Sequence, residues 1–379
     1  MKVLISIDSF KGSLSSLEAG NAAKTGILRV FPDAEIVVRP LADGGEGTVE
    51  ALIEGLGGKK RTVSVTGPLG APVEASYGIF ENTKTAVIEM SAAAGITLLA
   101  EKDRNPLLAT TYGVGKLIKD AISNGCRKFL IGIGGSATND GGVGMLSALG
   151  FSFLDENGNE IPYGANGLKV LKGIETKNVL PELSECTFEI ACDVTNPLCG
   201  ENGCSAIYGP QKGADKQMIF DMDLWLSRFS KLSKTIFEKA NPDSPGAGAA
   251  GGMGFAFETF LNGTLTRGVE LILKETNLEE YVKNADIVVT GEGRLDSQTA
   301  MGKAPAGVAA LSKKYGKKVI AFSGCATRDA NVVNTCGIDA FFPIARGASS
   351  LEDAMNVENA RENMADTAEQ VFRLIHLYQ

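Results

Sequence analysis

Met1-Lys2-Val3-Leu4-Ile5-Ser6-Ile7-Asp8-Ser9-Phe10-Lys11-Gly12-Ser13 opens the chain as a short apolar run that stops at an aspartate and a glycine turn. Asp286-Ile287-Val288-Val289-Thr290-Gly291-Glu292-Gly293-Arg294 has the same order far downstream. Each apolar run is too short for a helix and reads as a buried strand. After the first run, Ser15 and Glu18 have capping-box spacing. Ala19, Ala23, Ile27 and Val30 then recur at helical intervals until Pro32. Glu35–Val38 reads as a second strand, ending in Asp43-Gly44-Gly45-Glu46-Gly47-Thr48, which opens another helix. Beyond Asn284 the alternation returns: strand Asp286–Thr290, helix Ala304–Tyr315 ended by Gly316, strand Lys318–Phe322 and strand Ala340–Ile344. Ser349 and Glu352 repeat the capping-box spacing before a last long helix. Strand–helix alternation of this kind predicts a parallel sheet.

The middle of the chain reads differently. Arg61–Val65, Val73–Phe80 and Thr85–Met90 are strand-like and are joined by turn residues, which predicts an antiparallel meander. A helix is expected from Asn105-Pro106, strands at Phe129–Ile133 and Cys186–Cys192, and a hairpin at Phe151–Ile161 around Asn157-Gly158. The fold class expected is therefore α/β with two domains. A parallel-sheet, flavodoxin/Rossmann-like domain is formed by both termini, residues 1–64 and 280–379, and a mixed α+β domain, residues 65–279, is inserted into it.

Composition narrows the function. At 379 residues the chain outgrows a single core. Its formal charge of −8, with no dense Lys/Arg run, argues against a nucleic-acid partner. The apolar start is too short for a signal peptide and no segment approaches the roughly 20 apolar residues of a membrane span, so a cytoplasmic, non-membrane protein is expected. Seven cysteines without a C-x-x-C pair argue against a disulfide framework or a zinc ribbon. The sole histidine, His376, lies three residues from the end, which leaves carboxylates and lysines as candidates for a general base.

Four acidic, glycine-rich segments follow strands: Asp8–Ser13, Asp43–Gly47, Gly132–Gly142 and Gly291–Thr299. Ligands of open α/β sheets bind at such strand ends, where freed N–H groups favour phosphate and carboxylates suit Mg²⁺. There is no Walker A loop, and Gly246-Ala247-Gly248-Ala249-Ala250-Gly251 follows a Pro-rich turn rather than a strand, so it fails the context of a dinucleotide fingerprint.

Taken with Gly209-Pro210-Gln211-Lys212-Gly213-Ala214, Pro245–Gly252 and Gly302-Lys303, these motifs resemble the bacterial class I glycerate kinase family, of the glycerate 2-kinase type. The resemblance runs from the first strand to about residue 310 and is looser over the last sixty residues. It implies a kinase that uses ATP and Mg²⁺ on glycerate, with 2-phosphoglycerate as the favoured product and the active site in a cleft of a two-domain α/β architecture. A kinase of another small hydroxy acid, or a non-catalytic nucleotide- or metabolite-binding protein, is the alternative. Glycerate and ATP are the expected partners, and homodimer formation is left open. On this reading Asp193, then Asp8 and Asp43, are candidates for the base, and Lys11 and Arg294 hold the glycerate carboxylate or the moving phosphoryl group. Ser9, Ser13, Gly44 and Gly45 meet glycerate. Gly134, Gly135, Ser136, Thr138, Lys212, Gly291 and Gly293 meet the nucleotide, and Asp140 and Asp296 the metal.

Overall fold

In chain order the strands are β1 (Lys2–Ile7), β2 (Glu35–Val38), β3 (Lys59–Thr66), β4 (Pro72–Phe80), β5 (Thr85–Glu89), β6 (Lys128–Gly132), β7 (Ser152–Leu154), β8 (Gly173–Glu175), β9 (Thr187–Ala191), β10 (Thr264–Thr266), β11 (Ile287–Leu295), β12 (Lys318–Ala326) and β13 (Ala340–Pro343). The structure, a computed structural model, describes residues 1–45 and 47–378. It falls into two compact units. The first comprises Met1–Asp43, Glu50–Gly57 and Val269 onward; the second comprises Gly44–Val49 and Gly58–Gly268.

The first unit is built on a five-stranded sheet in the order β13-β12-β11-β1-β2, with every neighbouring pair parallel. Parallel sheets bury both faces, and the strand sequences show why this one does. Val3, Ile5, Ile7 and Val289 point to one face, where helices Ser16–Leu28 and Val357–His376 cover them. Leu4, Val288 and Val319 point to the other, beneath helices Leu278–Asn284 and Ala304–Lys314. Helices Ser16–Leu28 and Val357–His376 pack so closely that a Cβ on Gly26 would lie 1.9 Å from the Ala365 carbonyl oxygen.

Two differences from the expected elements matter for the site. Strand β11 does not stop at Thr290 but continues through the glycine-rich motif, pairing Glu292 with Ser323 and Arg294 with Cys325. Gly291 permits this, because a Cβ there would meet the Phe322 carbonyl oxygen at 2.0 Å. The final helical cap is displaced by one residue: the Ser350 side chain accepts from Asp353 N at 3.0 Å and starts only the short helix Leu351–Met355. Asn356 then caps the long helix.

The second unit holds a six-stranded sheet in the order β10-β9-β6-β5-β4-β3. Strands β3, β4 and β5 form the expected antiparallel meander, while β5, β6, β9 and β10 are parallel. Its core is rich in phenylalanine, with Phe129 stacked on Phe188 and Phe229 on Phe260. No helix starts at Asn105-Pro106; the Asn105 side chain accepts from Leu107 N, forming a turn, and the helix runs from Tyr112 to Ser123. The expected hairpin is reduced to a bridge between Leu154 and Glu160, and β7 pairs instead with β8. Among the described residues no helix is long and apolar enough to cross a membrane.

Candidate active site

Strand β1 delivers Asp8 to the carboxyl end of the parallel sheet, as the sequence order requires. The chain then makes a tight turn. Phe10 N donates to Leu14 O at 2.8 Å and Ser13 N to Phe10 O at 2.7 Å, with Gly12 at φ +78°. Buried Phe10 and Leu14 anchor the base of this turn and leave Lys11 exposed at its tip. Because Asp8 N donates to Gly291 O, Glu292 follows alongside on β11.

These elements enclose a cavity of about 720 Å³ in the first unit. Its acidic wall is Asp8, Asp43, Glu292 and Asp296, and its basic groups are Lys11, Arg294 and Lys303. Ser9, Ser13 and Gly293 line it as well. The segment Ile344–Met355 closes one side, with the Met355 methyl group against Gly12.

The electrostatics are uneven. Asp8 is only 8 % exposed, and burial, with the nearby charges of Asp43 and Glu292, raises its pKa to about 7. A hydrogen bond from Ser9 N at 2.7 Å and the charge of Lys11 oppose that rise without cancelling it. Burial also raises Glu292, against a 2.6 Å hydrogen bond donated by the Thr299 hydroxyl. Lys303 Nζ stands 3.9 Å from Glu292 and 3.8 Å from Asp296, and Arg294 Nε 3.6 Å from Asp296. Glu292 and Lys303 lie within the glycine-rich motifs, but the residues alone assign neither a role. The register of β11 against β1 is the signal that picks out Glu292.

The second unit treats its motifs differently. Gly134 and Gly135 are exposed just beyond β6, and nothing lies within 4 Å of the position a Gly134 Cβ would occupy. Thr138, Asp140 and Lys212 are turned inward and are at most 2 % exposed. Asp140 accepts from Thr111 N and Oγ1, both at 2.9 Å, from Gly142 N at 3.1 Å and from Gly144 N at 3.3 Å. Its carboxylate is buried and orders the loop, and burial raises its pKa in spite of these donors, an arrangement that speaks against the magnesium role expected of it. Lys212 Nζ donates to Ser136 Oγ at 2.9 Å and Thr138 O at 2.6 Å. The glycines of Gly141-Gly142 and Gly251-Gly252 serve close packing of two loops: Gly141 N donates to Gly251 O, and a Gly251 Cβ would lie 2.1 Å from Thr138 O.

The remaining expected residues sit as follows. Asp193 is exposed after β9, and its carboxylate accepts from Gly268 N at 2.9 Å. Gly44 is buried against Ala191 and Gly268, and Gly45 is half-buried. Gly291 is packed against β12 and is not among the cavity-lining residues, unlike Gly293. Glu46, within the second motif, lies outside the described residues.

A model of the glycerate kinase family matches residues 3–376. The chain belongs to the glycerate kinase family. It is 47% identical over 372 residues to the glycerate 2-kinase of Escherichia coli K12, covering 97% of this chain and 98% of that protein. It is 46% identical over 377 residues to the glycerate kinase of Bacillus subtilis 168, covering 100% and 98%. The crystal structure of a Salmonella typhimurium LT2 protein described as a glycerate kinase 2 superposes with a TM-score of 0.93 at 45% identity, over 100% of this chain and 99% of that one.

Proposed function

We propose that this family member transfers the γ-phosphoryl group of ATP to a hydroxyl of D-glycerate, giving phosphoglycerate, with the 2-phosphate favoured. The observation that carries the reading is Asp8: a carboxylate whose pKa is raised to about 7, lining a cavity that also holds Lys11, Arg294 and Lys303. A base works best when its pKa lies near the working pH. Asp8 accepts the proton of the attacking hydroxyl, and that oxygen forms the new bond to phosphorus as the bond to the ADP oxygen breaks. Phosphoryl transfer asks the protein mainly for positioning and charge neutralisation. Arg294 suits the planar carboxylate of glycerate, and Lys11 stabilises charge on the moving phosphoryl group. Ser9 and Ser13 meet the acceptor hydroxyls.

Asp8 thus replaces Asp193 as our choice of base, because Asp193 is exposed and already accepts from Gly268 N. The exposed turn Gly134-Gly135 is assigned to the nucleotide phosphates. Among the described residues no three Asp, Glu, His or Cys side chains assemble as a metal cage. Magnesium in kinases takes one or two carboxylates and completes its shell with phosphates and water. The half-buried oxygens of Asp296, at the cavity wall, fit that pattern. The metal, when bound, would neutralise phosphate charge. We further propose that the two compact units are the two domains of the enzyme.

The test is a coupled assay of ADP formation from Mg²⁺-ATP and D-glycerate, with ³¹P–¹H coupling in the product locating the phosphate. Glycerate-dependent turnover is expected. Turnover only with another hydroxy acid would move the substrate, and none with any acceptor would refute the kinase reading.

A further inference from the structure

Lys212 is a fully buried ammonium group held by neutral oxygens. Its two acceptors, the Ser136 hydroxyl and the Thr138 carbonyl, carry no charge, and the ammonium has a third donor beyond them. Burying a cation on such terms is costly, and an apolar side chain of the same length would fill the space more cheaply. The groups around it offer little compensation. The charge of Asp140, in the same loop, favours the Lys212 ammonium without offsetting its burial, and the Asp140 oxygens are taken by donors from Thr111, Gly142 and Gly144. The Cys204 thiol is pushed up to about 11 by burial and stays neutral. Arg104 packs its backbone against Gly213, and its guanidinium reaches Gln211 O at 3.4 Å. Burial accordingly lowers the pKa of Lys212 to about 8.

Ser136, which accepts the hydrogen bond from Lys212, immediately follows the exposed Gly134-Gly135 turn at the carboxyl end of β6. An accepting hydroxyl keeps its own proton for donation. Charge in a dry interior is poorly screened, so it reaches the surface of that turn. We infer that Lys212 is a positioning residue and a buried countercharge for a nucleotide polyphosphate seated on the Gly134–Ser136 turn, acting through Ser136 and through its field without touching the ligand. The inference rests on the nucleotide assignment made above and corrects the expectation of direct phosphate contact by Lys212.

Calorimetric titration of the full-length protein with ADP, from pH 7.5 to 9.5, tests it on wild type, Lys212→Met and Ser136→Ala. In wild type the ADP affinity should weaken several-fold over this range as Lys212 loses its proton. Lys212→Met should bind ADP about tenfold or more weakly at pH 7.5 and show no such slope. Ser136→Ala should be weakened less and keep the slope. Lys212→Met with wild-type affinity and slope would overturn the inference, leaving Lys212 an internal staple. Should Lys212→Met fail to fold, a flat wild-type profile together with unchanged binding by Ser136→Ala would overturn it equally. Wild type that binds no ADP at any pH would instead sink the nucleotide assignment beneath it.

Discussion

The Asp8 end of β1 and the Asp140 loop after β6 are both acidic, glycine-rich strand ends, yet the two regions use those residues in opposite ways. At the first, carboxylates and cations line a cavity and Asp8 receives one short hydrogen bond. At the second, Asp140 takes four donors, and Lys212, from the Gly209–Ala214 motif, is folded into the interior beside Ser136 and Thr138. Burial raises the proton affinity of both carboxylates, but only Asp8 lines a cavity, where it could serve as the proposed base. Asp140 faces four donors and orders its loop. On the proposed reading Asp8 takes part in the reaction while Asp140 only shapes the loop that carries the Gly134-Gly135 turn, and that contrast can be attacked by substitution.

The largest effect is expected at Asp8. Asp8→Asn should lower kcat by roughly 10²–10⁴-fold, the usual worth of a general base, with the protein still folded. Steady-state assays on purified variant would show whether kcat falls. Wild-type kcat/KM should rise with pH and level off above about 7, where Asp8 is ionised. Stability should move the other way. Asp8 binds its proton more tightly when folded, so its favourable contribution is complete below the ordinary carboxylate range and is lost as pH rises through about 7. Asp8→Asn should therefore gain thermal stability relative to wild type at pH 8 compared with pH 5; a constant difference across that range would remove the burial argument.

Asp140→Ala should spare the chemistry and damage the fold. Three buried N–H groups, of Thr111, Gly142 and Gly144, would lose their acceptor, at a cost of about 3 kcal/mol. Urea titration should show the midpoint falling. A variant with normal stability but no turnover would invert the comparison and restore Asp140 to the reaction. Arg294→Ala should raise the KM for glycerate by about 10- to 100-fold, the worth of a charge-assisted hydrogen bond, with little change in melting temperature. Smallest of all, Ser350→Ala should cost about 1 kcal/mol through loss of the cap to Asp353 N, read by thermal unfolding.

Much of this was legible in the residues. Short apolar runs between caps and turns gave the strands of the first unit, because a buried parallel strand has few other ways to be written. Asp8, Lys11, Asp43, Arg294 and Asp296 were all singled out by position at strand ends, and they do line one cavity. The overrun of β11 was not legible, since Gly291-Glu292-Gly293-Arg294 has poor strand propensity and is extended only because β12 lies beside it. Without that register Glu292 had no visible partner. The inward turn of Asp140 was equally hidden: two of its donors come from Thr111, 29 residues earlier in the chain. Sequence reveals which residues stand at a strand end; tertiary donors settle which way their side chains face.

The strand order of the first unit also has a consequence during synthesis. Strand β1 emerges among the first residues, but its parallel neighbour β11 is 280 residues away in sequence, from Ile7 to Ile287. At ribosomal speeds β1 waits roughly 15–60 s for that neighbour. Meanwhile the whole of Gly58–Gly268 leaves the ribosome. During that interval the backbone edge of β1 that pairs with β11 is open, β2 is its sole strand neighbour, and the face of Val3, Ile5 and Ile7 lacks helix Val357–His376, so the nascent chain should be a client of holding chaperones until the last third is made.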